Sequence, residues 1–376
     1  MIKRVIGSTK VNYRLLYVLM IVTILFLNIS SSLVVYANNA LEDLKFIYTI
    51  ELQIGGNITN LGKQPLQINK TDLLIYDYPL NTSSQEILYA SLYYNDMQIP
   101  FKIERDNEDY TLIPNITIND VLDSNDTASS KVLYRVRINV TKRLEEIRDL
   151  SFSNAGTWDE IPVSLKELTN VTSLWNYTNP LIKLLYKYIL RNSSSTPLYY
   201  LASTLNWINS YVKYSTRVPP RHPWEVILRR KGDCDDQSNL IITLLRASGI
   251  PSYLETGMVY ISNNFYLRST TAGGFLSYEF IGGGSHGWVA AYIPPWGFIR
   301  VDLTFASGIP GNLQSMLSHI KNAAYYSISF PTIVMSEIKK EDYVEQGIKF
   351  IEEIKEEKIR YNIFIKLQIV TKEAYS

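Results

Sequence analysis

Residues Gly232 to Gly257 read G-D-C-D-D-Q-S-N-L-I-I-T-L-L-R-A-S-G-I-P-S-Y-L-E-T-G and hold Cys234, the single cysteine of a 376-residue chain. One cysteine cannot close an internal disulfide, so the fold must be held by core packing. With 46% hydrophobic and only 19% charged residues, the chain has material for such a core and does not have the composition of a disordered segment. The formal net charge of +1, with no dense basic patch, gives no sign of a nucleic-acid partner.

The apolar run Leu240 to Leu245 predicts a helix that stops at Gly249-Ile250-Pro251. Asp233 suits its N-cap. Cys234 then stands in the first turn, where free backbone amides and the helix field favour a thiolate. Asp235 and Asp236 oppose that charge, so a basic partner has to do part of the activation. Otherwise a lone cysteine is a small buried hydrophobe.

His286 opens the strand-like run G-G-G-S-H-G-W-V-A-A-Y-I, and Asp302 lies in F-I-R-V-D-L-T-F beyond a turn at Pro294 to Gly297. A hairpin of these two runs brings imidazole and carboxylate side by side, the usual arrangement for generating a thiolate nucleophile. Trp288, two residues from His286 on the same strand face, either shields the imidazole or packs.

These segments resemble the transglutaminase-like superfamily, a branch of the papain-like fold. The resemblance runs from about Tyr200 to Phe305. It rests on N-W-I-N-S-Y-V-K-Y at Asn206 to Tyr214, the G-D-C-D-D-Q-S and R-A-S-G-I-P blocks, H-G-W at His286 to Trp288 and V-D-L-T at Val301 to Thr304. It implies an α+β core, with helices packed on an antiparallel sheet. It also implies Cys234 as nucleophile, His286 as general base and acid, Asp302 as orienting carboxylate, and a protein or peptide substrate. The Cys234 amide is the natural first oxyanion donor, with Tyr214 and Trp224 as candidates for the second. Hydrolysis is the first expectation because prokaryotic members of the group are mostly protease-like. Transglutaminase-type crosslinking and a noncatalytic cell-surface scaffold are the alternatives.

No cofactor is expected. The acids at 233, 235 and 236 lack a calcium-loop pattern, and three scattered histidines with one cysteine make a poor zinc set. Gly282-Gly283-Gly284 lacks the lysine and helix of a phosphate loop and would suit backbone closing over a cleft.

Lys3, Arg4, Lys10 and Arg14 precede an apolar run from Leu15 to Leu27, and Val35-Tyr36-Ala37 fits a cleavage site. Residues 1–37 therefore read as a signal peptide or, if uncleaved, a membrane anchor. N-glycosylation sequons fall at Asn57, Asn69, Asn81, Asn115, Asn125, Asn139, Asn170, Asn176 and Asn192, with another at Asn28 inside the signal. Together these features point to a secreted or cell-surface glycoprotein of an exported prokaryotic, archaeal kind.

Residues 41–150 carry strand candidates at Leu44 to Gln53, Gln67 to Tyr78, Glu86 to Tyr94, Tyr110 to Ile118 and Lys131 to Val140, predicting a β-sandwich-like accessory domain. Residues 151–335 form the expected catalytic domain, with helices at Pro180 to Leu190 and Pro197 to Val212 before the cysteine helix. The triplet Arg229-Arg230-Lys231 either adds positive potential near Cys234 or is a solvated helix end. Residues 336–376 predict a helix over Ser336 to Lys358 and a strand over Ile359 to Val370, paired with either domain.

Overall fold

The computed structural model describes residues 45–69, 76–106, 109–145, 147–191, 196–304 and 311–375. The signal or anchor segment and the sequons at Asn28 and Asn192 lie outside them. No helix among the described residues is long and apolar enough to cross a membrane.

The architecture is mixed α+β and rests on two larger sheets. The seven-stranded sheet has the order Tyr266–Thr271, Leu276–Ile281, Ile359–Tyr375, Lys45–Asn60, Thr127–Asn139, Gln85–Tyr94, Met97–Ile99. Strand Lys45–Asn60 runs on through Gly55-Gly56 instead of stopping there. A Cβ on Gly55 would fall 2.3 Å from the Phe364 ring of the neighbouring strand, so this glycine makes room for an aromatic. Alternation puts Ile50, Leu52 and Ile54 into one core with Val132, Tyr134 and Val136 of Thr127–Asn139. Each such aliphatic side chain contributes about 1.5–3 kcal/mol on burial. Strand Ile359–Tyr375 pairs antiparallel with Lys45–Asn60 along its length and parallel with Leu276–Ile281. It thus joins strands from the two ends and the middle of the chain.

Two small sheets add to this β-rich region. Leu66–Asn69 pairs with Asn119–Leu122, and Asp109–Pro114 pairs with both Tyr76–Tyr78 and Phe101–Asp106. The single strand expected over Gln67 to Tyr78 is therefore two strands in separate sheets. The one expected over Tyr110 to Ile118 ends at Pro114, which has no amide hydrogen to extend a ladder.

The four-stranded sheet is antiparallel throughout, in the order Gly297–Val301, Gly283–Ile293, Ser252–Tyr260, Thr332–Ile338. Its last strand corrects the expected helix from Ser336. The alternating, β-branched T-I-V-M-S-E-I takes the sheet edge, and the helix starts only at Tyr343, where the Asp342 side chain accepts from the Glu345 amide at 3.0 Å. Gly282-Gly283-Gly284 also departs from expectation. Gly282 has φ +78°, and a Cβ there would lie 1.9 Å from the Leu367 carbonyl oxygen; one on Gly283 would lie 1.9 Å from that of Val259. The glycines let the chain pass from one large sheet to the other at close quarters, and they close no cleft.

Helix Cys234–Ser248 packs against strand Gly283–Ile293 and is buried from Cys234 to Arg246. It ends as its sequence predicts. Gly249 is left-handed at φ +89°, and the amides of Gly249 and Ile250 return to Arg246 and Leu245. Helices Pro180–Arg191 and Pro197–Tyr211 share its core, as does Leu313–Ser329, which the sequence reading missed. Buried Arg246 fastens the far end of the cysteine helix. Its guanidinium donates to the carbonyls of Ser252, Asn170 and Lys339 and stacks 4.1 Å over Trp175.

Candidate active site

His286 lies on Gly283–Ile293 and Asp302 just past the end of Gly297–Val301. The hairpin register pairs Val289 with Val301, so the two functional residues approach beyond the last ladder rung. His286 Nε2 is 2.6 Å from Asp302 Oδ2, with both side chains buried at 1% and 5% exposure. An ionised Asp302 accepts from Nε2–H, which leaves the ring lone pair on Nδ1. The second carboxylate oxygen, Oδ1, accepts from the Thr304 amide at 2.9 Å.

Trp288 packs its ring 5.7 Å from that of His286 and is fully buried. Its indole N–H donates to Glu255, and the Arg300 guanidinium lies 4.0 Å over its ring. Glu255 also pairs with Arg300 at 3.7 Å. The tryptophan is therefore held from two sides and closes one flank of the imidazole.

Cys234 is the first residue of its helix, behind the N-cap Asp233, and is only 3% exposed. Its neighbour across the packing is the strand segment at Gly287, beside His286; the Ser238 hydroxyl, one turn further on, donates to the Gly287 carbonyl at 3.4 Å. Burial pushes the Cys234 thiol well up, and the charges of Asp235, Asp233 and Asp302 push the same way. A backbone hydrogen bond from Gly287 acts in the opposite sense. Desolvation and the neighbouring acids act against a resting thiolate, which leaves activation to a basic partner.

Asp233, Asp235 and Asp236 are buried, and their oxygens come within 4.8 Å of one another. Among the described residues this is the group of acids close enough to share an ion. Much of its charge is already met inside the protein. Arg221 donates to Asp236 from both its backbone amide and its guanidinium at 2.5 Å, and the Arg217 amide donates to Asp233 at 3.1 Å. Burial raises the pKa of all three acids, that of Asp235 to about 7. Tyr343 donates to Asp235 at 3.3 Å and also meets Asn239.

The oxyanion candidates part company here. Tyr214 is 37% exposed, yet its phenol lies within electrostatic range of Cys234, Asp233, Asp235 and Asp302, and burial followed by those charges pushes its pKa far up. A phenol held protonated remains a donor. Trp224 is 40% exposed on the short helix Pro223–Arg229, a solvent-facing position. In the basic triplet, Arg230 stacks over Trp207 and Tyr211 and takes the left-handed cap position, φ 55°, which makes it a helix end.

The sequence reading passed over Arg221, Glu255, Arg300 and His319. Arg221 sits in the loop at 217–224, where the prolines drew attention away from the cation. His319 is buried on Leu313–Ser329, and its Nε2 lies 3.1 Å from the Asp302 carbonyl oxygen. Being one of three histidines was its only signal.

Of the expected glycosylation sites, Asn81, Asn115, Asn125, Asn170 and Asn176 are exposed, whereas Asn57 and Asn139 are partly covered on strands. Asn69 ends strand Leu66–Asn69.

Residues 187–303 match the family model described as the transglutaminase-like superfamily. The similarity is to the transglutaminase-like superfamily and is confined to this segment. The segment contains Cys234, His286 and Asp302. No curated protein matches the chain. Among solved structures, one from Cytophaga hutchinsonii, provisionally named a cysteine protease, is 16% identical with a TM-score of 0.49, covering 88% of this chain and 91% of its own. A second, provisionally named a protease, from Parabacteroides distasonis is 9% identical with a TM-score of 0.25, covering 76% of this chain and 47% of its own. Red sea bream transglutaminase is 12% identical with a TM-score of 0.26, covering 69% and 54%.

Proposed function

We propose that the chain is a cysteine-dependent acyl transferase acting on protein or peptide amides, with water as its ordinary acceptor. The observation that carries this is the buried 2.6 Å contact between His286 and Asp302, with Cys234 packed alongside at Gly287. A scaffold has no need of an imidazole held by a carboxylate beside the single thiol of the chain.

In this reading the resting thiol is protonated. His286 Nδ1 takes the Cys234 proton, and the sulfur attacks the amide carbonyl. The Cys234 amide, with Tyr214 as a second donor, meets the oxyanion. The C–N bond breaks as His286 returns the proton to the departing amine, leaving a thioester. Water, deprotonated by His286, then releases the acid and restores the thiol. A lysine amine in place of that water gives the crosslinking reaction. Asp302 holds the imidazole in the tautomer that accepts at Nδ1.

The β-rich segment at 41–150 is read as a sandwich-like accessory domain and 151–335 as the catalytic domain, with 336–376 as an extension. Residues 1–37 are read as an export signal or anchor of a surface protein of archaeal type, and the exposed sequon asparagines as its glycan sites.

Labelling with iodoacetamide across pH, read by intact mass, tests the proposal. Cys234 of the native chain is expected to react near neutrality, with the rate lost in His286→Ala. An unchanged rate in His286→Ala would leave the scaffold reading. Peptides with and without an added primary amine, with products weighed, separate hydrolysis from transfer.

A further inference from the structure

Asp302 stands where the sheet stops supporting its backbone, one residue beyond strand Gly297–Val301. Its carboxylate is held by His286 and the Thr304 amide, while its main-chain carbonyl turns toward helix Leu313–Ser329. There His319, 2% exposed, meets that carbonyl through Nε2 at 3.1 Å. A carbonyl oxygen only accepts, so Nε2 carries the proton and His319 is the Nε2–H tautomer. The other ring nitrogen, Nδ1, is buried with no hydrogen-bond partner. Leaving such an atom unsatisfied carries a desolvation cost that no bond repays. A leucine would fill the place without that cost, so a histidine here is not explained by core packing alone.

The surrounding helix strengthens the point. Ala323, Tyr326 and Ser327 of Leu313–Ser329 line a small cavity together with His286, Trp288 and Asp302. One helix thus backs the whole His286–Asp302 pair, and His319 is its polar link to the carboxylate residue.

We infer that His319 is a positioning residue: it holds the Asp302 backbone so that the carboxylate stays aligned on His286. The inference rests on the acyl-transfer reading of Cys234, His286 and Asp302. Burial keeps His319 neutral, with its pKa lowered to about 4, so the link persists through the neutral range.

The test compares iodoacetamide labelling of Cys234 from pH 5.5 to 9 in the full chain, His319→Leu, His319→Gln and Asp302→Asn, with thermal melting of each. His319→Leu is expected to slow labelling about tenfold at neutral pH and to move the midpoint of its pH profile, without a matching fall in melting temperature. His319→Gln, whose amide reaches the same carbonyl, is expected to restore both. If His319→Leu does not fold, His319→Asn, whose shorter amide stops before the carbonyl, takes its place. Labelling unchanged by loss of the donor, while Asp302→Asn slows it, overturns this inference and leaves the acyl-transfer reading standing. Labelling unchanged in Asp302→Asn as well overturns both.

Discussion

The sheet side of the site and the helix side are built on opposite electrostatic terms. On the sheet side, His286 has Asp302, Trp288 has Glu255, and Glu255 has Arg300, so acids and donors alternate. On the helix side, Asp233, Asp235 and Asp236 crowd the first turn around Cys234, and Asp233 Oδ1 and Asp235 Oδ1 are buried without a hydrogen-bond partner. The sheet side pairs its imidazole with an acid, and the helix side crowds acids around its thiol. The contrast explains why the thiol is pushed up although it sits at a helix start. In the acyl-transfer reading, that proton passes to the imidazole.

The largest way to break this contrast is to remove the guanidinium that pairs with Asp236 on the helix side. Arg221→Met leaves Asp236 unpaired in the core and is expected to cost about 3–5 kcal/mol, read from the urea midpoint. A loss below about 1 kcal/mol would mean that Asp236 is already protonated.

Asp235→Asn sharpens the comparison next. The carboxyl of Asp235 titrates near 7 in the fold against an ordinary 3.8, so the folded chain holds an extra proton between about pH 4 and 7. Its favourable contribution is present in acid and is lost as pH rises toward 7. His319 acts in the opposite sense. Its value near 4 against an ordinary 6.5 makes the unfolded chain the better proton binder between those limits, so stability falls on acidification there. The two largely offset each other in the native chain. The stability difference between native chain and Asp235→Asn is therefore the quantity to measure, by urea denaturation at pH 5 and pH 8. The variant is expected to gain on the native chain at pH 8 by on the order of a few kcal/mol relative to pH 5. Removing that charge also brings the thiol down, so Cys234 labelling at pH 7.5 should quicken. Slower labelling would contradict the opposed roles of the two sides.

The smallest effect belongs to Glu255→Gln. The amide keeps an acceptor for the Trp288 indole but weakens the hold on Arg300, at a cost of about 1 kcal/mol in thermal unfolding. Cys234 labelling is expected to change by less than about threefold. A larger change would give Glu255 a part in the chemistry.

Much of this was legible along the chain, for identifiable reasons. The cysteine helix announced both ends, through Asp233 and through Gly249-Ile250-Pro251. The hairpin that joins His286 to Asp302 was signalled by Pro294 to Gly297 between two apolar runs. What escaped depends on contacts across large separations. The Gly55 gap exists because Phe364 is its neighbour 309 positions later. The expected helix starts too early, at Ser336, because the end of strand Thr332–Ile338 runs straight into the charge-rich Lys339 to Glu345. Helix Leu313–Ser329 was readable from Met316, Leu317, Ile320 and Ala323, spaced for one face, but its importance to Asp302 is visible only in three dimensions. The opposing acids beside Cys234 were legible, whereas the desolvation of the thiol depends on the packing around it.

The most direct measurement of the central claim is intact-mass analysis after exposing the chain to an activated acyl donor, such as a peptide ester. The account predicts one acyl group on Cys234, formed by the native chain and absent from Cys234→Ser and His286→Ala, and lost in water on longer incubation. An adduct that forms equally well in His286→Ala, or none on Cys234 at any pH, would contradict it.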